Sequence, residues 1–152
     1  MSAKVIDCVG IAEEIKKESM AEIRDLKSKG IGVGIATVLV GEDFGAKMYR
    51  GQVEKFCQEI GLEYVNASPP ASSAEKDVVE IVKDLNKNRK VSGILPLRPF
   101  PPHISDYAII NSIDLNKDID CFHPFNMGKL TLGGITFAPA TPSACIEIMD
   151  RE

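Results

Sequence analysis

Asp118, Asp120 and His123 stand close together in the run Asp118-Ile119-Asp120-Cys121-Phe122-His123-Pro124-Phe125-Asn126-Met127-Gly128-Lys129-Leu130. Carboxylates and an imidazole are the side chains that accept hydrogen bonds from a ligand's N–H groups or move protons. No helical or strand period runs through this stretch. Pro124 removes a backbone donor and Gly128 tolerates positive φ, so the run is expected to be an ordered loop. Loops held on a rigid scaffold are where binding and catalytic groups concentrate. Asp120 has two readings from its type: an acceptor for a ligand, or a brace for its own loop. His123, ahead of a proline, is expected to brace the loop rather than catalyse, and His103 to do no more than start a helix.

Two further residues carry chemistry. Tyr49 offers an aromatic face and is either a ligand platform or part of a helix's packed side. Arg98 sits within Pro96-Leu97-Arg98-Pro99-Phe100-Pro101-Pro102, where its guanidinium either meets a substrate carboxylate or is solvated. The lysines and arginines other than Arg98, Arg50, Lys47 and Lys55 read as solvated faces. The cysteines at 8, 57, 121 and 145 form no C-x-x-C pair and read as small apolar residues, not metal ligands.

The elements that must hold these groups follow from periodicity. Five helical segments and three or four strands are expected. Ile11, Ile15, Ser19, Ile23 and Leu26 keep helical spacing, with Gly30 as a stop. Residues 31–40 form an apolar, glycine-broken run without a polar face, as expected of a buried, central, parallel strand. Asp43 is placed to cap a helix whose apolar side is Ala46, Tyr49, Val53, Phe56, Cys57 and Ile60, ended by Gly61. Residues 62–67 are a second strand. Ser72 and Glu75 fit a capping box ahead of a helix carrying Val78, Ile81, Val82 and Leu85. Residues 91–95 are a third strand, the proline-rich run a loop, and residues 103–110 a short helix. After the Asp118 loop come a Gly133-Gly134 turn, an extended piece over 135–138, and a final helix with Thr141 as N-cap and Pro142 at its first position. Strands alternating with helices imply a three-layer α/β/α domain with a mostly parallel sheet. The loops at 41–43, 96–102 and 139–142 each follow a strand, and their convergence beyond the strand ends is a site expectation.

With 152 residues and 44% hydrophobic content, one domain with one core is expected over residues 1–152. A net charge of −4 leaves no basic excess for phosphates, so neither nucleic acid nor an anionic membrane is an expected partner. No apolar run reaches the roughly 20 residues needed to span a bilayer, and no signal-peptide block opens the chain; a cytoplasmic protein is expected.

Four stretches resemble the bifunctional methylenetetrahydrofolate dehydrogenase/cyclohydrolase family. The opening run is similar to its D-[VI]-D-G-[FL]-H-P-x-N-x-G-x-L signature, with Cys121 where that motif has Gly. Val40-Gly41-Glu42-Asp43 through Tyr49, Val53, Cys57 and Gly61 is similar to V-G-x-[DN]-x-A-S-x-x-Y-[VI]-x-x-K-x-[KR]-x-C-x-x-[IV]-G. Gly93-Ile94-Leu95-Pro96-Leu97-Arg98-Pro99-Phe100-Pro101-Pro102-His103-Ile104 is similar to G-[IL]-[LI]-V-Q-L-P-L-P-x-H-I. Phe137-Ala138-Pro139-Ala140-Thr141-Pro142-Ser143-Ala144 is similar to F-x-P-C-T-P-x-G.

The resemblance implies that Tyr49 packs on a folate and Asp120 hydrogen-bonds its pterin ring, with Pro139 beside them. It also implies that the general acid/base lysine of the cyclohydrolase step falls at Val53 and its glutamine partner at Leu97. Lys55 is no substitute, because two residues on is about 200° round a helix. Losing both partners together avoids the roughly 1–3 kcal/mol of one buried polar group left unpaired. Val53 on its own reads simply as a core residue. The family's second half is a Rossmann domain for NADP or NAD; no G-x-G-x-x-G occurs here, so no cofactor is expected on this chain. The expectation is thus the substrate domain of a one-carbon enzyme, binding a folate-like molecule with little or no catalysis of its own. A non-catalytic ligand-binding or regulatory module and a structural, dimerising remnant are the alternatives. Ala144, Cys145 and Ile148 share one side of the final helix near the last residue given, which leads to the expectation of a homodimer.

Overall fold

The computed structural model describes residues 3, 5–134 and 137–152. Its elements run α1 (Cys8–Ser28), β1 (Gly34–Leu39), α2 (Phe44–Ile60), β2 (Glu63–Ala67), α3 (Glu75–Lys87), β3 (Gly93–Leu97), α4 (Asp106–Asn111), α5 (Pro124–Thr131) and α6 (Ala140–Arg151). The expected extended piece over 135–138 lies partly outside the described residues. No helix among them is long and apolar enough to cross a membrane.

The sheet is parallel in the order β2-β1-β3, with the apolar β1 in the centre. Alternation splits β1 between two layers. Ala36 and Val38, continued by Val40, pack with Val78, Val82 and Leu85 of α3, with Ile94 of β3, and with Phe100, Ile104, Ile109 and Ile113. Leu39 packs the other way, with Leu97 of β3 and Ala46 of α2. Both faces of the strand are therefore covered, which is why no polar face shows in its sequence. The three-layer α/β/α arrangement is the one expected.

Several local expectations need correction. β3 begins and ends two residues later than the sequence suggested, and Pro96 lies inside it opposite Val38. The position tolerates proline because Pro96 shares its parity with Ile94, whose N–H points away from β1 to the Lys117 carbonyl at 2.7 Å. Ser72 and Glu75 do not form a capping box: Ala74 stands at the N-cap with no side-chain bond. Glu75 instead accepts the Ser105 N–H at 2.8 Å, tying α3 to the start of α4. α4 starts at Asp106 behind Ser105, so His103 precedes it and its Nε2 lies 3.0 Å from the Ser73 carbonyl. The Asp118 run is a loop only as far as His123; α5 follows. Pro124 at its first position suits a helix start, and His123 Nδ1 accepts the Phe125 N–H at 3.1 Å as N-cap. α6 opens one residue before Thr141, with Pro139 at its N-cap. Asp43 and Gly61 bound α2 as expected: Asp43 Oδ1 accepts the Ala46 N–H at 2.8 Å, and Gly61 ends the helix at φ 82°.

Candidate functional site

The site begins with a buried carboxylate. Asp118 is fully buried, and its oxygens accept the N–H groups of Phe122 at 2.9 Å and His123 at 3.0 Å, together with Asn126 Nδ2 at 2.9 Å. Asn126 Nδ2 also donates to the Leu115 carbonyl. The loop is thus folded around one anion whose acceptor capacity is used by named donors. Its entry is fixed to the sheet by the bridge between Ile94 and Asp118. Gly93 permits that approach, since a Cβ there would lie 2.4 Å from Ile119 Cγ2. Lys117 secures the other side by donating Nζ to the carbonyls of Leu85, Asn86 and Asn88 at the end of α3. Burial holds the Lys117 ammonium below its ordinary pKa.

Cys121 adopts φ 57°, a left-handed conformation that costs a side-chain-bearing residue roughly 1–2 kcal/mol. The similar motif has glycine here, and the backbone geometry supplies the reason. The cysteine keeps the turn and buries its thiol, which burial pushes up in pKa. The turn aims Asp120 outward.

α2 packs over β1 and β2, leaving the β3 side of that face open. Two joined chambers fill the gap. The larger, about 430 Å³, is lined chiefly by Tyr49, Val53 and Phe56 of α2, Leu95 of β3, and Ile119, Asp120 and Ala140 opposite. Cys57 also lines it, and burial raises its thiol pKa. The smaller, about 250 Å³, lies toward the strand ends between Tyr49, Leu97, Arg98, Asp120 and Phe122. Tyr49, Leu95 and Asp120 belong to both chambers. A cleft of this size with few polar groups is the usual form of a small-molecule site.

The structure brings four of the five expected site residues to the cleft. Tyr49 is half exposed, so it is not a core residue. Val53 is half buried on the wall of the larger chamber, and Leu97 is buried at the smaller one, so neither offers a titratable atom. Asp120 braces the start of α6 rather than its own loop, since Oδ1 accepts the Ala140 N–H at 2.8 Å, and its side chain lines both chambers. Pro139 lies outside the lining and contributes by starting α6. Of the segments expected to converge, the end of β3 with Arg98 after it and Ala140 reach the cleft, but 41–43 do not, since Gly41 turns away and donates its N–H to the Pro69 carbonyl. The larger chamber also runs along α2 rather than beyond the strand ends. Leu95, Ile119 and Ala140 were not legible as wall residues, because their role depends on where α2 stops covering the sheet. Among the described residues no group of His, Cys, Asp or Glu could hold a metal ion.

Comparison with known proteins follows the same lines. The profile described as "Tetrahydrofolate dehydrogenase/cyclohydrolase, catalytic domain" matches residues 6–120. "Bifunctional protein FolD 3" of Rubrobacter xylanophilus is 44% identical over 151 residues, covering 99% of this chain and 48% of that protein. The Ruminiclostridium cellulolyticum "Bifunctional protein FolD" is 38% identical over 99% of this chain and 53% of its own length. The crystal structure of the bifunctional FolD methylenetetrahydrofolate dehydrogenase/cyclohydrolase from Campylobacter jejuni superposes with a TM-score of 0.94 at 31% identity, over 99% of this chain and 54% of that one. A silkworm (Bombyx mori) 5,10-methylenetetrahydrofolate dehydrogenase gives 0.91 at 29% identity, over 99% of this chain and 52% of that one. The chain spans about half the length of the curated relatives it matches.

Proposed function

The chain belongs to the tetrahydrofolate dehydrogenase/cyclohydrolase family, and from that premise we propose that its cleft binds a reduced folate without hydrolysing it. The observation that carries this reading is the meeting of Tyr49 and Asp120 at the junction of the two chambers. A pterin ring needs a flat apolar contact and an acceptor for its adjacent N–H groups. Tyr49 supplies the first, worth about 0.5–1.5 kcal/mol beyond area burial. Asp120 supplies the second, worth about 1.5–3 kcal/mol for a charged acceptor.

Proton transfer is a different matter. General acid/base catalysis needs a titratable group within hydrogen-bond reach of the moving proton. The helix wall presents Val53, and the neighbouring strand Leu97. The residues present do not by themselves fit a nicotinamide dinucleotide, since the sequence has no glycine-rich phosphate loop, and no hydride step is assigned to them. The domain is therefore a substrate platform for a one-carbon protein.

Titration of the chain with tetrahydrofolate should saturate, and a methenyltetrahydrofolate hydrolysis assay should stay at the uncatalysed rate. A titration without saturation overturns the binding reading, and clear turnover overturns the non-catalytic one. We further place the protein in the cytoplasm, which its free cysteines suit, and propose a homodimer through α6, where Ile146 and Met149 are exposed. Sedimentation at about twice the chain mass of 16.5 kDa supports that assembly, and a monomer with a protected α6 rejects it.

A further inference from the structure

Arg98 is fixed in place at the cleft rather than free in solvent. Its guanidinium carbon lies 4.8 Å from the centroid of the Phe122 ring, and Nη1 donates to Asp106 Oδ2 at 3.3 Å. Phe122 and Arg98 both line the smaller chamber, together with Tyr49 and Asp120. The cation lies over the Phe122 ring, and Asp106 takes one of its five N–H donors. The Nε and Nη2 donors have no acceptor among the described residues. The pair with Asp106 is long and half exposed on both sides, so it neutralises Arg98 only weakly. A planar fork of donors on an aromatic support is the arrangement that recognises a carboxylate.

Charge placement within the cleft gives this direction. Asp120 presents an acceptor at the chamber junction, and Arg98 presents a cation in the smaller chamber. A ligand matched to both has N–H donors at one end and a negative charge at the other. The resemblance sharpens the point: in the similar motif the position of Arg98 holds leucine, and the lysine position is Val53. Relative to that pattern, one cation is missing from the helix wall and another stands on the rim of β3.

We propose that Arg98 is a specificity-determining residue that receives the carboxylate-bearing aminobenzoylglutamate portion of a reduced folate, with Phe122 as its support. This rests on the reading of the cleft as a folate site, and it deepens that reading by assigning the ligand's anionic end. A tail-less pterin then binds without help from Arg98.

The test is calorimetric titration of the full chain and of Arg98→Leu and Arg98→Lys, after unfolding curves show that each variant folds. Three probes are used, carried into the millimolar range: tetrahydrofolate, tetrahydropterin without the tail, and p-aminobenzoylglutamate. Arg98→Leu should weaken tetrahydrofolate about tenfold or more, the size of losing a hydrogen bond to a charged group, while tetrahydropterin changes less than about twofold. Arg98→Lys should fall between, because it keeps the charge but loses the fork. Wild-type binding of tetrahydrofolate that Arg98→Leu leaves unchanged overturns the role of Arg98 and spares the folate reading. Arg98-dependent binding of p-aminobenzoylglutamate with no binding of tetrahydropterin supports the carboxylate site and overturns the pterin reading. Binding of none of the probes by the wild type overturns both.

Discussion

Asp120 Oδ1 accepts the Ala140 N–H at 2.8 Å, so the carboxylate at the junction of the cleft also fixes the first residue of α6. Site and helix are built on one side chain. A free N–H at a helix start is one of the four donors that the helix cannot satisfy itself, and an anion there also interacts favourably with the helix dipole. The orientation of α6 and the shape of the cleft wall are therefore coupled through Asp120.

Asp120→Asn should separate the two roles. An amide oxygen still accepts from Ala140, while the charge that favours a ligand's N–H pair is lost. We expect Asp120→Asn to unfold within about 0.5 kcal/mol of wild type and Asp120→Ala to lose about 1 kcal/mol, as for a removed cap. Both should weaken tetrahydrofolate binding tenfold or so, in line with a charged hydrogen bond. Equal binding by all three forms would place the ligand elsewhere.

Val53→Lys combined with Leu97→Gln should introduce hydrolysis of methenyltetrahydrofolate. Positioned acid/base groups contribute roughly 10²–10⁴-fold, and a partly restored pair should reach at least the lower end. Val53→Lys alone should do less, because a lone amine on a half-buried apolar wall has its pKa lowered by desolvation. A single variant as active as the double would show that Leu97 is not the partner position.

Asp118→Ala should be among the most destabilising single changes in the chain. It leaves the part-buried Phe122 and His123 N–H groups and the buried Asn126 amide without the fully buried carboxylate that accepts from them. At roughly 1–3 kcal/mol for each unsatisfied group, a loss of about 3 kcal/mol or more is expected in urea unfolding. Asn126→Ala, which leaves the two backbone donors satisfied, should cost less. A mild Asp118→Ala would mean that water replaces the carboxylate.

Thiol reactivity should divide the cysteines in two. Cys8 and Cys145 are exposed, whereas Cys57 and Cys121 are buried and burial raises the pKa of both their thiols. Since the thiolate is the reactive form, a disulfide reagent at mildly alkaline pH should modify two residues quickly and two only on unfolding. Rapid labelling of Cys57 would show that the larger chamber opens to solvent.

The sheet was legible because its signals are local. The apolar run over residues 34–39, the Asp43 cap and the Gly61 stop each depend on neighbours a few positions away. Most of the failures involve distant partners. Glu75 looked like half of a capping box, yet it bonds Ser105. Pro96 looked like a strand end, yet it is tolerated because the outer edge of β3 is met by the 117–118 segment. α5 was hidden because its period is short and Asn126, a weak helix former, serves the buried carboxylate. Tyr49, Asp120 and Arg98 could be singled out by type and motif. Their shared chambers could not, because the gap exists only through the offset of α2 from β3.

α6 is fastened to α1 chiefly by charge, and that attachment should weaken in acid. Arg151 donates to both carboxylate oxygens of Glu18, at 3.0 and 2.7 Å, and to Glu147 at 2.5 Å, while no side chain of α6 is buried. The hydrogen bonds from Arg151 hold the Glu18 pKa below its ordinary 4.5, and the same contacts raise that of Arg151. A carboxylate with a lowered folded-state pKa stabilises fully above its unfolded value and stops doing so as pH falls through the lowered one. Arg151 stays charged throughout that window, so Glu18 sets the transition. Amide exchange across residues 140–151 should therefore be faster in Glu18→Gln than in wild type near neutral pH, and the difference should vanish as pH falls through the lowered Glu18 pKa. Glu18→Gln that matches wild type near neutral pH would show that the Arg151–Glu18 pair does not hold α6.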